Sequence, residues 1–202
     1  MNKLKIKKNR GMIHSMKTQY HPEYTRGMTY VELIVVLSIF AVLSSVAIFN
    51  YGEFQAKVDI KNLASEITSQ IVTAQKSSLN GLLPRLGVPF ATWKPSYGVY
   101  FNIASPKQFI YFTDLSNSNT YEANELLDTI SITKNNYISR LEAVGCGPIN
   151  TLNIVFRRPD SSAVITTNPF CSNISYIQIT IASPKGKTAL IKIYPSGRVQ
   201  VN

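Results

Sequence analysis

Few residues in this chain are equipped to do chemistry. Histidine, the side chain most often used as a base near neutral pH, occurs only at His14 and His21, inside a basic stretch that precedes a long apolar run. Downstream of Gly27 there is thus no imidazole for a Ser-His-Asp triad or a His-ligated metal, and no glycine-rich phosphate loop. Glu122, Glu125 and Asp128 lie close together, but in a polar stretch that reads as solvated loop or short helix rather than as the paired carboxylates of a hydrolase. Cys146 and Cys171 are the only cysteines, and two thiols without a histidine do not complete a tetrahedral zinc set. An even pair in a translocated domain reads as one disulfide, with two free core thiols as the alternative. Asp114, Ser116, Asn119 and Glu122 carry side-chain oxygens that could ring a calcium ion, although the glycine and the twelfth-position acid of an EF-hand are missing. An Asn/Ser turn closed by side-chain to backbone bonds is the simpler reading of that loop. No enzyme activity and no cofactor is expected.

One acid stands apart. Met28 to Tyr51 is a stretch of 24 residues in which Glu32 is the sole charge, and about 20 apolar residues suffice to cross a hydrocarbon core as a helix. A carboxylate there costs on the order of 2.5 to 3.5 kcal/mol on insertion scales, so it persists where it has a partner or a task. If the chain is cut after Gly27, the new α-amine of Met28 lies about one helical turn from Glu32, within reach of it or of the Glu32 of a neighbouring copy. Two simpler readings compete: a plain signal anchor with an interfacial acid, and a signal peptide cleaved after Ser45-Val46-Ala47. The acid at the start of the run and the 17-residue length from Leu33 to Phe49 argue against the signal peptide.

Four features together carry a family resemblance: the basic leader ending in Gly27, the Met28-Thr29 start, Glu32 as the fifth residue after the cut, and the run Leu33-Ile34-Val35-Val36-Leu37-Ser38-Ile39-Phe40. In these the chain resembles the type IV prepilins and pseudopilins. The resemblance implies that a prepilin peptidase cleaves after Gly27 and methylates Met28, and that Glu32 directs assembly. It also implies partners: other pilin or pseudopilin subunits, an inner-membrane assembly platform and membrane lipid. Phe49 and Ala41 stand where many pilins have a helix-kinking Pro and a Gly, so a stiffer helix is expected here.

These residues need a frame to hold them. Val58, Ile60, Leu63, Ala64, Ile67, Ile71 and Ala74 recur at three- and four-residue spacing, so the membrane helix is expected to continue as an amphipathic one over 52–80. Gly81 and Pro84 supply its stop. From Trp93 onward short β-branched and aromatic runs alternate with turn residues, predicting nine strands: 97–103, 108–113, 129–133, 137–143, 152–157, 163–166, 174–182, 188–194 and 198–201. Hairpin turns are expected at 104–107, 184–186 and 195–197, with 80–95 as an irregular connector. The predicted organisation is a cleaved basic leader (1–27), a transmembrane and filament-core helix (28–51), its amphipathic continuation (52–80) and a β-rich head (81–202). This is an α+β, pilin-like layout in which one long helix packs on an antiparallel sheet. Tyr97-Gly98-Val99-Tyr100-Phe101, Phe109-Ile110-Tyr111-Phe112-Thr113-Asp114 and Ile193-Tyr194-Pro195-Ser196-Gly197-Arg198-Val199 are similar to the H-type minor pseudopilins of type II secretion; competence-type and type IV pilus minor pilins share much of the same pattern.

Charge agrees with an external head. Residues 1–27 hold seven basic residues and one acid, which predicts a cytoplasmic N-terminus and a head across the membrane. The remaining 175 positions hold fourteen basic and ten acidic residues, so only +4 of the chain's +10 belongs to the predicted mature part. Lys185, Lys187, Lys192 and Arg198 have no acid after Asp160 to offset them. They could touch nucleic acid or anionic lipid, although lysines on edge strands also serve simply to block unwanted pairing.

Overall fold

The computed structural model describes residues 27–82 and 95–202, and its contacts divide the chain into a unit ending at Ser44 and a compact unit, Ser45–Asn202. The leader up to Arg26, with His14 and His21, lies outside the described residues, as do Pro84, Trp93 and most of the predicted connector.

Helix α1 spans Tyr30–Asn80. It opens at Thr29, whose carbonyl accepts the Leu33 amide at 3.0 Å and whose hydroxyl accepts the Glu32 amide at 3.2 Å, satisfying a donor that a helix start otherwise leaves unpaired. It closes as the sequence requires. Gly81 adopts φ +60, its amide bonds to the Ser78 carbonyl at 3.0 Å, and the Leu82 amide bonds to the Ser77 carbonyl at 3.2 Å. That pair of bonds is the Schellman arrangement, and only an achiral residue takes the left-handed turn without a Cβ penalty. The Arg158 guanidinium donates to the Leu79 carbonyl, filling another orphan acceptor.

From Ala56 onward one face of α1 is core: Ala56, Ile60, Leu63, Ala64, Ile67, Ile71 and Ala74 are buried, and Val58 is only half-buried. The buried face extends further than the apolar spacing indicates, because Ser77 and Ser78 are also covered. Each has a partner: Ser78 donates to the Phe156 carbonyl at 2.7 Å, and Tyr111 donates to the Ser77 hydroxyl at 3.0 Å. A buried hydroxyl is tolerated on a core face when it is hydrogen-bonded in this way.

Among the described residues ten strands follow: β1 Ser96–Asn102, β2 Gln108–Asp114, β3 Leu126–Ser131, β4 Tyr137–Val144, β5 Gly147–Pro148, β6 Thr151–Phe156, β7 Ala163–Asn168, β8 Tyr176–Ala182, β9 Thr188–Ile193 and β10 Val199–Val201. All nine expected strands are present, with β3 beginning three residues earlier than expected and β5 added. The expected single sheet is instead two antiparallel five-stranded sheets, ordered β3-β2-β1-β6-β7 and β10-β9-β8-β4-β5. The chain leaves the first sheet after β3, starts the second with β4, returns for β6 and β7, and completes the second with β8 to β10.

Both sheets bury one face in a core they share with α1. Ile177, Ile179 and Ile181 of β8 alternate inward beside Ile191 and Ile193 of β9. In β4 the inward positions Ile138 and Leu141 are three apart, because a bulge between Ile138 and Arg140 resets the alternation. The Pro195-Ser196-Gly197 turn joins β9 to β10 with Gly197 at φ +81, and a Cβ there would strike the Ser161 carbonyl oxygen. That same oxygen accepts Gln75 of α1 at 2.7 Å, so the turn, the loop before β7 and the helix meet at one point. Cys146, beside β5 in the second sheet, is disulfide-bonded to Cys171, just past β7 in the first, with Cα atoms 6.1 Å apart.

Candidate functional site

Gly27 and Met28 are exposed and precede the first helical turn, and Glu32 sits in that turn with its side chain exposed. Around it the side chains of Tyr30, Val31, Leu33, Ile34, Val35, Val36, Leu37, Ile39 and Phe40 are all exposed, at 44% to 77%. The apolar exposure continues through Val42, Leu43, Val46, Ile48, Tyr51 and Phe54. The exposed apolar side chains from Tyr30 to Phe40 alone exceed the few hundred Å² that soluble monomers leave bare, so they require lipid or protein cover. Among the described residues α1 is the one helix long and apolar enough to cross a membrane. It is compatible with a single-pass membrane protein.

Thr29-Tyr30-Val31-Glu32 also has the spacing of a capping box, in which the first residue caps the helix and the fourth is acidic. The Thr29 half of that box is formed. An acid in the first turn is favoured by the helix dipole, typically by 0.3–1 kcal/mol. That is well below the ~2.5–3.5 kcal/mol insertion cost of an acid at the centre of a membrane helix, so at depth capping would not by itself account for Glu32.

The polar loop between β2 and β3 is a strap across the first sheet. Asp114, fully buried at the end of β2, accepts the Ser118 amide on Oδ1 and the Asn119 amide on Oδ2, each at 3.0 Å. Burial pushes its carboxyl above the ordinary value, Glu125 adds to that, and the two amides and Arg157 oppose it. The acidic stretch, expected as a solvated loop or short helix, forms the short 3-10 turn Ala123–Glu125 with Glu122 and Asp128 exposed, but Glu125 is fully buried. Its Oε1 accepts the Leu115 and Ser116 amides at 2.8 and 3.0 Å, and its Oε2 accepts the Glu122 amide at 3.2 Å. The strap is closed by Tyr121, which stacks on Tyr100 at 5.1 Å, meets Phe112 edge-on and gives its amide to Asn153. This cover explains why Asn153 and Val155 are buried on the sheet's outer side.

Of the calcium candidates, Asp114 thus spends both oxygens on backbone amides, Ser116 donates to Glu125 and Glu122 at 3.1 and 3.3 Å, and Glu122 itself is exposed. Asn119, at φ 60, keeps a buried Oδ1 without a partner among the described residues. Among the described residues no three His, Cys, Asp or Glu side chains gather as a metal-ligand set. The arrangement is that of a side-chain to backbone closed turn.

The four late cations have distinct surroundings. Lys187 reaches back to Glu53 of α1 at 3.1 Å, an acid 134 residues earlier. Lys192 lies over the Tyr176 ring at 5.3 Å and Arg198 over the Tyr194 ring at 4.1 Å, while the two tyrosines approach to 5.5 Å. Register places them together, because Gln178 faces Lys192 across β8 and β9, and Lys192 faces Gln200 across β9 and β10. Lys185 flanks α1 at Gly52. Searches of protein-family models, of curated proteins and of solved structures found no match to this chain.

Proposed function

We propose that this chain is a pilin-like structural subunit, a minor pseudopilin or pilin that is inserted as a single-pass precursor, trimmed after Gly27 and built into a filament. What supports the reading is the combination at the start of α1: a bare apolar surface from Met28 to Leu43 interrupted by one carboxylate, Glu32, one turn from the proposed new terminus. In lipid that acid is costly; beside a neighbouring subunit's α-amine it is neutralised, and the pairing sets the axial register of the stack. The apolar faces then pack helix to helix, and the β-rich head presents a surface to partner subunits or cargo. Prepilin peptidase and an inner-membrane assembly platform are the further partners this reading requires, with the N-terminus cytoplasmic and the head outside until assembly.

The test is Glu32→Leu. Membrane insertion remains intact, since an expensive charge is removed, while incorporation into filaments is lost. Normal incorporation of the variant overturns the mechanism.

A second reading, a filament-tip module that binds DNA or a secreted protein, is favoured by one observation. Lys192 and Arg198 are interleaved with Tyr176 and Tyr194 on the second sheet, and aromatic rings beside cations suit stacked bases and phosphates. Retention of the detergent-solubilised chain on single-stranded DNA that weakens steeply with salt supports this version, and no retention leaves the structural role alone.

A further inference from the structure

Beside the part of α1 that follows Tyr51 lies a groove of about 670 Å³, with Lys57, Ile60 and Lys61 on the helix side and Lys187, Thr188 and Val201 on the side of β9 and β10. Its floor is apolar, since Ile60 and Ala189 are buried, and its rim is cationic. On the other flank of α1 a smaller hollow of about 250 Å³ brings Lys134 and Lys185 beside Gly52 and Asp59. Five lysines therefore gather around residues 51–61 of the helix against two acids, with Glu53 paired to Lys187 and Asp59 to Lys134. Among the described residues Lys57, Lys61 and Lys185 make no ion pair.

We infer that the Lys57, Lys61 and Lys187 groove binds the headgroup phosphate of an anionic phospholipid, seating the head on the outer leaflet before assembly. The inference rests on the reading that 28–51 crosses a bilayer. Lys57 and Lys61 follow Tyr51 by six and ten residues, about 9 and 15 Å along the axis at ~1.5 Å per residue. A bilayer's polar layer extends roughly 5 to 7 Å beyond the hydrocarbon on each side. Helical side chains tilt toward the helix N-terminus, here toward the span, and a lysine stem snorkels further in the same direction. Both ammonium groups thus reach back toward headgroup depth. The apolar floor matches the glycerol and first methylenes of a lipid, which a free phosphate does not supply.

The test uses native mass spectrometry of the full chain in a non-ionic detergent, titrated with phosphatidylglycerol or with phosphatidylcholine of the same acyl chains. Lysines near a membrane surface each contribute about fivefold to anionic-lipid binding, so Lys57→Gln with Lys61→Gln weakens phosphatidylglycerol retention by roughly 25-fold. Lys107→Gln, at an exposed turn distant in the sequence from the groove, leaves it unchanged. All of these side chains are exposed, so equal thermal midpoints verify that each variant folds. Equal retention by the double variant and the parent chain overturns the inference, as does equal retention of the two lipids. Displacement of phosphatidylglycerol by inorganic phosphate points to a free-anion site and also overturns it. Loss of self-association in the double variant with lipid retention intact assigns the groove to a second copy instead. Alkaline carbonate extraction separates the two levels. A chain stripped from membranes by carbonate refutes the span itself, whereas a chain that resists it yet binds lipid independently of these lysines refutes only the groove.

Discussion

Removing the Cys146–Cys171 bond by replacing both residues with serine isolates what the disulfide contributes. The bond closes a loop of 25 residues. For that length the chain-entropy model gives a stabilisation of about 3.5 kcal/mol, because the cross-link restricts the unfolded chain. Cys171 is buried and Cys146 is exposed, so the serine substitutions add only the cost of one poorly placed hydroxyl, about 1 kcal/mol or less. At roughly 2–4 °C per kcal/mol for a domain of this size, the combined loss of about 3.5–4.5 kcal/mol lowers the thermal midpoint by about 7–18 °C. Circular dichroism melts of the full chain in detergent, with and without reductant on the parent protein, measure this directly. The bond ties the second sheet at β5 to the first beyond β7, so amide exchange in the double variant rises first in those two strands. A midpoint unchanged within a degree or two, in the variant and in reductant alike, refutes the reasoning that this link restrains the unfolded ensemble.

Replacing Gly27 with leucine blocks processing, and the precursor then migrates roughly 3 kDa above the mature form on a gel, the approximate mass of 27 residues. Glu32→Leu, already described, separates insertion from incorporation in the same cells. Stability also responds to acid through Asp114: its folded carboxyl is raised, chiefly by burial, so between the ordinary aspartate value and that raised value the unfolded chain gives up its proton first and stability falls as pH rises. Denaturant melts across that window should show this slope, and Asp114→Asn, which also forfeits one of the two amide bonds at about 1–3 kcal/mol, should remove it. A slope unchanged in the variant contradicts the assignment to Asp114.

Much of the frame is legible in the sequence because it depends on local rules. The helix ends at Asn80 where Gly81 allows the left-handed turn, and strands such as β8 and β9 declare themselves by alternating isoleucines. Sheet membership is not legible. Alternation says which face a residue takes, not which strand lies beside it, so the crossover that pairs β4 with β8 leaves no mark on either segment. The two-residue β5 is too short for any period to register. Glu125 looks solvated because its neighbours are polar, yet it is buried as the acceptor for three amides of its own loop. The cationic features are similarly non-local. Lys187 meets Glu53 through tertiary folding alone, and the Lys192 and Arg198 stacks on tyrosine depend on strand register. By contrast, Glu32 stands out by itself, because one acid in 24 otherwise uncharged residues needs no tertiary information to be noticed.

The most direct test of the account is N-terminal mass spectrometry of the protein recovered from membranes of the cells that make it. A chain beginning at Met28 with one added methyl group, 175 residues long, is the predicted result. A chain that keeps its basic leader, or one that begins at Ile48 after Ala47, contradicts it.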